Sequence, residues 1–202
     1  MIVGIRRAIR QAGPQSGGIV MQRLWFIWGA MALVLTFTAM SGSGANFMQL
    51  TSIAFTDGGK IPFQYVMPGA GGQNVSVALS WSGAPAGTQS FALAMVDPHP
   101  VANNWVHWLV VDLPKDSTSI PEGASGHKMP QGAAELKNSF GETGYGGPQP
   151  PRGSGDHPYV FTLYALSAPK VEIGKSAGLA AFKQALEGKI LATATLTGYF
   201  GR

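Results

Sequence analysis

The sequence predicts a mostly β protein in which helices are scarce. Its 202 residues include 28 glycines and 14 prolines, and these are dispersed along the chain rather than concentrated in a repeat. Such a distribution is typical of many strands joined by tight turns. Hydrophobic residues make up 45% of the chain. This content suffices for one well-buried core, so we expect a single domain, residues 46–202, after an N-terminal segment.

At least six short apolar runs are candidate strands. Val75, Val77 and Leu79 alternate with polar residues, at the period of a half-buried strand. Two other runs, SFALAMVD and WVHWLVVDL, are apolar almost throughout, as strands covered on both faces would be. A DGGK turn follows the first run. The six runs occupy residues 47–56, 74–81, 90–97, 105–113, 159–166 and 190–200.

One amphipathic helix is predicted near the C-terminus. Ser176 is a candidate N-cap, and Gly188 suits the exit. Leu179, Phe182 and Leu186 line one face between these two residues. We expect this helix to pack against the sheet and to carry no chemistry.

Residues 1–45 are predicted to be an N-terminal extension and signal peptide. Four arginines and no acidic residue precede position 46, and an apolar core follows at 24–40. Cleavage after Ala45 satisfies the rule of small residues, together with Ser43. The core also just reaches spanning length, so an uncleaved membrane anchor is the alternative. Either outcome predicts an exported protein, periplasmic or secreted.

The rest of the chain is electrically neutral and contains no cysteine. The formal charge of +4 comes from the N-terminal arginines, because ten basic and ten acidic residues follow them. A neutral body is unsuited to a phosphate backbone, so no nucleic-acid partner is expected. The absence of cysteine excludes disulfides and a lipid-modified cysteine after the signal. Membrane contact is expected only through the N-terminal segment.

Three of the four histidines flank predicted strands. His99 and His107 follow Asp97 closely, and His157 directly precedes another strand. If the two histidine-bearing strands are neighbours, Asp97, His107 and His157 converge on one site. The fourth, His127, lies in a loop and is interpreted as a solvated side chain.

Such a cluster permits more than one chemistry. Imidazoles supply donors to an anion near neutral pH, and one of them can serve as a general base. Histidine and carboxylate are also normal metal ligands, so a metal-dependent hydrolase using Asp97, His99, His107 and His157 is the alternative. Nucleophilic catalysis has little support, because G-x-S-x-G is absent and Ser154 lacks a strand-to-helix setting.

A second informative stretch, residues 141–166, is rich in glycine and proline. No helix follows its glycines, so the nucleotide-binding fingerprints do not apply. Prolines make the loop stiff beside His157 and Tyr159. A stiff rim is what a preformed small-ligand site requires, since little loop entropy is lost on binding.

Together the two stretches resemble the phosphatidylethanolamine-binding protein family, also called Raf-kinase-inhibitor proteins, and its bacterial branch in particular. The first family signature, D-P-D-x-P followed by H-W, is matched by residues 97–100 and 107–108. The second, G-Y-x-G-x-x-P-P-x-G followed by H-R-Y, is matched by residues 144–153 and 157–159. The resemblance spans about residues 47–200.

The resemblance implies a mostly antiparallel, Greek-key-like β fold with a large central sheet, a smaller second sheet and few helices. It implies a pocket for a small anion such as phosphate or phosphorylethanolamine, without a cofactor, metal or catalytic residue. Modulation of a protein partner such as a kinase or protease is known in parts of the family, but partner surfaces leave no local motif from which this role could be inferred here. Carried over by position, the ligand-binding residues are Asp97, His99, Trp105, His107, Gly147, Pro150, His157 and Tyr159.

Two residues depart from the family signatures. His99 stands where the family has a second acidic residue, so the pocket mouth loses a negative charge. Pro158 replaces the arginine between His157 and Tyr159, which removes a cation and a backbone donor. The leading hypothesis is a non-enzymatic, exported binding protein whose pocket takes a phosphate-bearing or other small anionic group, and the two departures leave its ligand preference open.

Overall fold

The structure is a computed structural model that describes residues 47–202. The predicted signal peptide or anchor, residues 1–45, lies outside the described residues. From Phe47 to the C-terminus, no helix is both long enough and apolar enough to cross a membrane.

Strands dominate the described part of the chain. The single α-helix within it, α1, spans Leu179–Leu186, and two short 3-10 helices span Phe63–Tyr65 and Pro68–Ala70. The strands are β1 (Gln49–Thr51), β2 (Gly59–Lys60), β3 (Leu79–Ser82), β4 (Ser90–Asp97), β5 (Trp105–Pro114), β6 (Ser119–Ile120), β7 (Ala134–Glu135), β8 (His157–Leu166) and β9 (Ile190–Phe200).

The strands form one large and one small sheet. The large sheet has the order β2-β9-β8-β4-β5-β7, and the small sheet has the order β1-β3-β6. Neighbouring strands are antiparallel except β2 and β9, which are parallel. The predicted mostly β fold with a large central sheet, a smaller sheet and few helices is confirmed.

The large sheet is covered on both faces, and β4 shows how. Leu93 and Met95 belong to the core shared with the small sheet. Ala92 and Ala94 point the other way, into a second cluster that contains Phe182 of α1. Successive side chains of a strand face opposite sides, so a strand buried on both faces must be apolar throughout. This explains the continuous apolar sequence of β4.

The predicted helix start was wrong by two residues. Ser176 does not cap α1, because the N-cap is Gly178, which has extended backbone and no side chain to donate or accept. A turn closed by a hydrogen bond from Ala177 N to Gly174 O precedes it. Helical bonding therefore begins only with Phe182 N to Gly178 O. The predicted exit at Gly188 agrees with its positive φ of 71°.

Two strands are shorter than the apolar runs that predicted them. In the first run the strand ends at Thr51, because the Ser52 hydroxyl then bonds Ala78 O and Ala54 N. In the run 74–81 the strand begins only at Leu79. The Val75 N–H donates its hydrogen bond to Gln64 O, which lies outside the sheet.

Candidate ligand-binding site

A cavity of about 410 Å³ opens at one end of the large sheet, where the central strands begin and end. Asp97 ends β4, while Trp105 and His157 begin β5 and β8. Since both strands run antiparallel to β4, these three positions meet at the same edge. The volume falls within the usual range for small-molecule sites. The cavity is lined by Asp97, Val101, Ala102, Trp105, His107, Phe140, Gln149, Pro150, Pro151, His157 and Tyr159.

The histidine-bearing strands converge, though not as direct neighbours. β4 lies between β5 and β8 and pairs with both. Asp97, at its end, is therefore placed between His107 and His157. All three side chains line the cavity, and the intervening strand contributes the carboxylate.

His107 occupies a β-bulge in β5. Met95 pairs with Trp108, but the next residue of β4 pairs with Val106, so His107 has no partner on β4. In a regular strand His107 and Trp108 would face opposite sides of the sheet. The extra residue changes the direction of the side chain. The His107 ring consequently meets Tyr159 edge-on, with ring centroids 4.9 Å apart.

The Gly-rich loop is fastened to this bulge by two hydrogen bonds. Gly146 N donates to His107 O at 2.8 Å, and His107 Nδ1 lies 2.6 Å from Gly146 O. Burial lowers the pKa of His107 to about 4, against smaller raising effects from the Gly146 hydrogen bond and the charge of Asp97. The ring is therefore neutral near pH 7, and Nδ1 carries the hydrogen, because a carbonyl only accepts.

Asp97 and His157 form a buried pair at the base of the cavity. Asp97 Oδ2 lies 2.6 Å from His157 Nδ1, and Asp97 Oδ1 accepts the His99 N–H at 2.9 Å. His157 Nε2 lies 2.9 Å from Ser154 Oγ, whose own hydrogen points to Pro151 O. Asp97 Oδ2 and Ser154 Oγ can therefore only accept hydrogen bonds from His157. Both ring nitrogens of His157 must carry a proton to donate them. The pair is then a carboxylate and an imidazolium with no net charge.

The Tyr159 hydroxyl is buried and has no hydrogen-bond partner within residues 47–202. Burial raises the pKa of Tyr159, and the negative charge of Asp97 raises it further. The hydroxyl therefore keeps its hydrogen at physiological pH. A buried polar group without a partner is costly, so a ligand that accepts this hydrogen would gain from it.

Two predicted site residues do not line the cavity. His99 stacks on His157, with ring centroids 3.8 Å apart, and its Nδ1 accepts the Val101 N–H. Gly147 instead supports the loop: its N–H donates to Asn74 Oδ1, and a Cβ there would lie 2.1 Å from Tyr65 O. The other six predicted residues all contribute to the lining.

The cavity mouth contains a residue that the sequence analysis missed. Phe140 contacts Trp105 edge-on at 5.3 Å, and Trp105 is 39% exposed. Phe140 belongs to neither signature, and its only signal was an apolar residue in a polar loop. Asn138 positions it by accepting the Phe140 N–H. Val101, Ala102, Gln149 and Pro151 were also missed.

The proline wall of the cavity is held by the C-terminal residue. Arg202 Nε donates to Pro150 O at 2.6 Å, and Arg202 Nη1 donates to Gly69 O at 2.7 Å. Gly153 N donates back to Arg202 O. These bonds add to the stiffness that proline already provides.

The site geometry does not fit the metal-dependent hydrolase. Asp97 and His157 bond each other, His107 Nδ1 is used by Gly146 O, and His99 lies flat on His157. The part of the chain from residue 47 onwards contains no group of three or more His, Cys, Asp or Glu side chains that could hold a metal ion.

The hydrogen bonds from Ser154 to His157 to Asp97 follow the order of a catalytic triad. However, the Ser154 hydroxyl is 2.7 Å from Pro151 O and donates there, and Ser154 does not line the cavity. A nucleophilic serine must give its hydrogen to the histidine. Ser154 in this arrangement orients His157.

The fold defines a class of mostly β proteins with a large and a small sheet and a cavity at one end of the large sheet, and comparison with known proteins identifies the family. The family model described as phosphatidylethanolamine-binding protein matches residues 51–201. The chain therefore belongs to the phosphatidylethanolamine-binding protein family.

Bacterial members of the family are similar over most of their length. The Escherichia coli protein YbcL is 37% identical over 173 residues, which cover 83% of this chain and 94% of YbcL. YbhB from the same organism is 39% identical, covering 76% and 99%. LppC of Mycobacterium tuberculosis, whose name describes a lipoprotein, is 38% identical, covering 76% and 74%. The crystal structure of YbcL matches with a TM-score of 0.73 and 36% identity, over 77% of this chain and 98% of that structure.

Proposed function

We propose that this protein binds a small anionic ligand with a phosphate-like group in the cavity at the edge of the large sheet. The observation that carries the proposal is the buried Tyr159 hydroxyl, which has no partner within residues 47–202 and belongs to a residue that lines the cavity. The neutral Asp97–His157 pair beside it supports the proposal, because an unpaired carboxylate there would repel an anion.

The walls of the cavity favour binding without rearrangement. Pro150 and Pro151 have fixed φ angles, and Arg202 holds the carbonyl of Pro150. Trp105 and Phe140 supply apolar surface at the mouth, suited to the carbon atoms of a headgroup. A preformed site loses little conformational entropy when it is filled.

Tyr159→Phe is expected to weaken binding of inorganic phosphate at about pH 6 while leaving the fold intact. The lost bond is a charge-assisted one, worth about 1.5–3 kcal/mol, or roughly ten- to a hundredfold in affinity. Unfolding free energy should stay the same or rise slightly, since a buried hydroxyl without a partner is removed. Isothermal titration calorimetry measures the affinity, and urea titration measures the stability.

Tyr164→Phe is the matched control. Tyr164 lies on the same strand but packs against Phe182 on the α1 face. The Tyr164→Phe variant should bind phosphate with the same affinity as the unmodified protein. Equal affinities in both variants and the unmodified protein would remove Tyr159 from the site.

We also propose that the protein is exported through residues 1–45. LppC is named a lipoprotein, but this chain has no cysteine to carry a lipid. The apolar core at 24–40 must then direct export alone. Intact-mass analysis of the exported protein is expected to give a chain that begins at Asn46. A membrane-bound chain that retains residues 24–40 would instead establish an anchor.

A further inference from the structure

Two residues that line the cavity, His107 and Tyr159, carry an unused hydrogen-bond acceptor and an unused donor. His107 Nδ1 gives its hydrogen to Gly146 O at 2.6 Å, so the lone pair of the neutral ring is on Nε2. Within residues 47–202 this nitrogen makes no hydrogen bond, and the His107 ring lines the cavity. The lowered pKa of about 4 keeps Nε2 an acceptor down to about pH 5.

The donor lies beside this acceptor. The Tyr159 and His107 rings are in edge contact, with centroids 4.9 Å apart, and the Tyr159 hydroxyl has no partner among the described residues. Both oxygens of Asp97 are already bonded, to His99 N and to His157 Nδ1. A ligand that satisfies the free groups must therefore both donate and accept hydrogen bonds within a short distance.

A fully ionised anion meets only half of this requirement. Each of its oxygens accepts the Tyr159 hydrogen well, but none can donate to His107 Nε2, and two lone pairs placed together repel. The Asp97–His157 pair has no net charge, so it supplies no cation to balance a second negative charge on the ligand. A phosphate group that retains one proton meets both requirements.

We propose that the cavity selects the proton-bearing form of a phosphate: its P–OH donates to His107 Nε2 and a P–O accepts from Tyr159. This inference rests on the proposed function and names its ligand class, which is inorganic phosphate and phosphate monoesters. Phosphodiesters and sulfate carry no proton near neutral pH and are discriminated against. The site thus accepts a free headgroup such as phosphorylethanolamine and rejects the diester phosphate of an intact phospholipid.

The selection predicts a defined pH dependence. A phosphate monoester has a second pKa of about 6, so about 1% carries the proton at pH 8 and about three quarters at pH 5.5. Monoester affinity should rise roughly seventy-five-fold between these values. Near pH 4 the preference for a ligand that carries a proton should disappear, because protonated His107 donates a hydrogen bond instead of accepting one. The titratable groups packed against His107 are Asp97 on β4 and His157 and Tyr159 on β8.

The test is calorimetry on the unmodified protein with four probes at pH 5.5 and pH 8. The probes are inorganic phosphate, phosphorylethanolamine, glycerophosphorylethanolamine as the matched diester, and sulfate. At pH 5.5 the first two should bind at least about tenfold more tightly than the last two, since a site built to accept a ligand hydrogen rejects analogues without one. Only phosphorylethanolamine should lose most of its affinity at pH 8, because a monoester then has no proton left, whereas inorganic phosphate still carries one.

Two results would overturn the selection while leaving anion binding in place. The diester or sulfate could bind as tightly as the monoester, or the monoester could bind with the same affinity at both pH values. Absence of binding by every probe would overturn the proposed function as well. A variant adds an independent arm: His107→Phe keeps a ring but removes the acceptor, and should reduce the preference for monoester over diester to less than about threefold. His127→Phe, at an exposed loop position, should retain the preference.

Discussion

Asp97→Ala is expected to lower the free energy of unfolding by about 3–5 kcal/mol, because it breaks a buried charged pair from one side. The side chains of Asp97 and His157 are both almost completely buried and are joined by a 2.6 Å hydrogen bond. Without the carboxylate, His157 Nδ1 and the His99 N–H lose their acceptor. Urea titration followed by tryptophan fluorescence measures the change.

Asp156→Ala is the control for a lost carboxylate. Asp156 pairs with Lys60, but both side chains are at least half exposed, so the loss should be below about 1 kcal/mol. The double variant Asp97→Ala/His157→Phe should recover part of the stability, since no buried ring nitrogen then lacks a partner. If Asp97→Ala costs no more than Asp156→Ala, the buried pair does not stabilise the fold.

Phe182→Ala is expected to cost about 3–5 kcal/mol of stability, as large-to-small changes of buried aromatic residues do. Phe182 is completely buried and is the largest side chain that α1 contributes to the second core cluster. The small Ala92 and Ala94 of β4 leave the room that its ring fills. Chemical denaturation with circular dichroism measures the loss, which tests whether α1 is a packing element.

The matched control is Phe47→Ala, because Phe47 is 81% exposed and its removal leaves no cavity. Its effect should stay within about 0.5 kcal/mol. Phe182→Ala should also leave phosphate affinity unchanged wherever the protein remains folded, because Phe182 lies on the face of the sheet opposite Tyr159. A weakened affinity in the folded variant would contradict the separation of the two faces.

The long strands were predictable because burial leaves a strong local signal. β4 matches its apolar run from Ser90 to Asp97, and β8 extends its run by two residues to His157. Both are central strands whose hydrogen bonds are satisfied by neighbours on each side. Short edge elements have no such signal: β1 keeps three residues of a ten-residue run, since the Ser52 hydroxyl competes with the ladder.

The composition of the site was also local information. Stiff proline and glycine segments, together with histidines at strand starts, singled out Asp97, His107, His157 and Tyr159 from sequence, and the family resemblance added Trp105 and Pro150. Phe140 was missed because a loop phenylalanine has no periodicity from which its contacts follow. Its position depends on Asn138, which shapes the loop through side-chain hydrogen bonds.

The sequence by itself determined the β class of the protein, its family and the residue types at one edge of its sheet. Only the tertiary structure decided what those residues present to a ligand. The pairing of β4 with β5 skips His107, and this bulge turns the ring into the cavity, where Gly146 O selects the nitrogen that keeps its lone pair. His99 is turned onto His157. Strand register and ring protonation depend on partners distant in the chain, so no local pattern contains them.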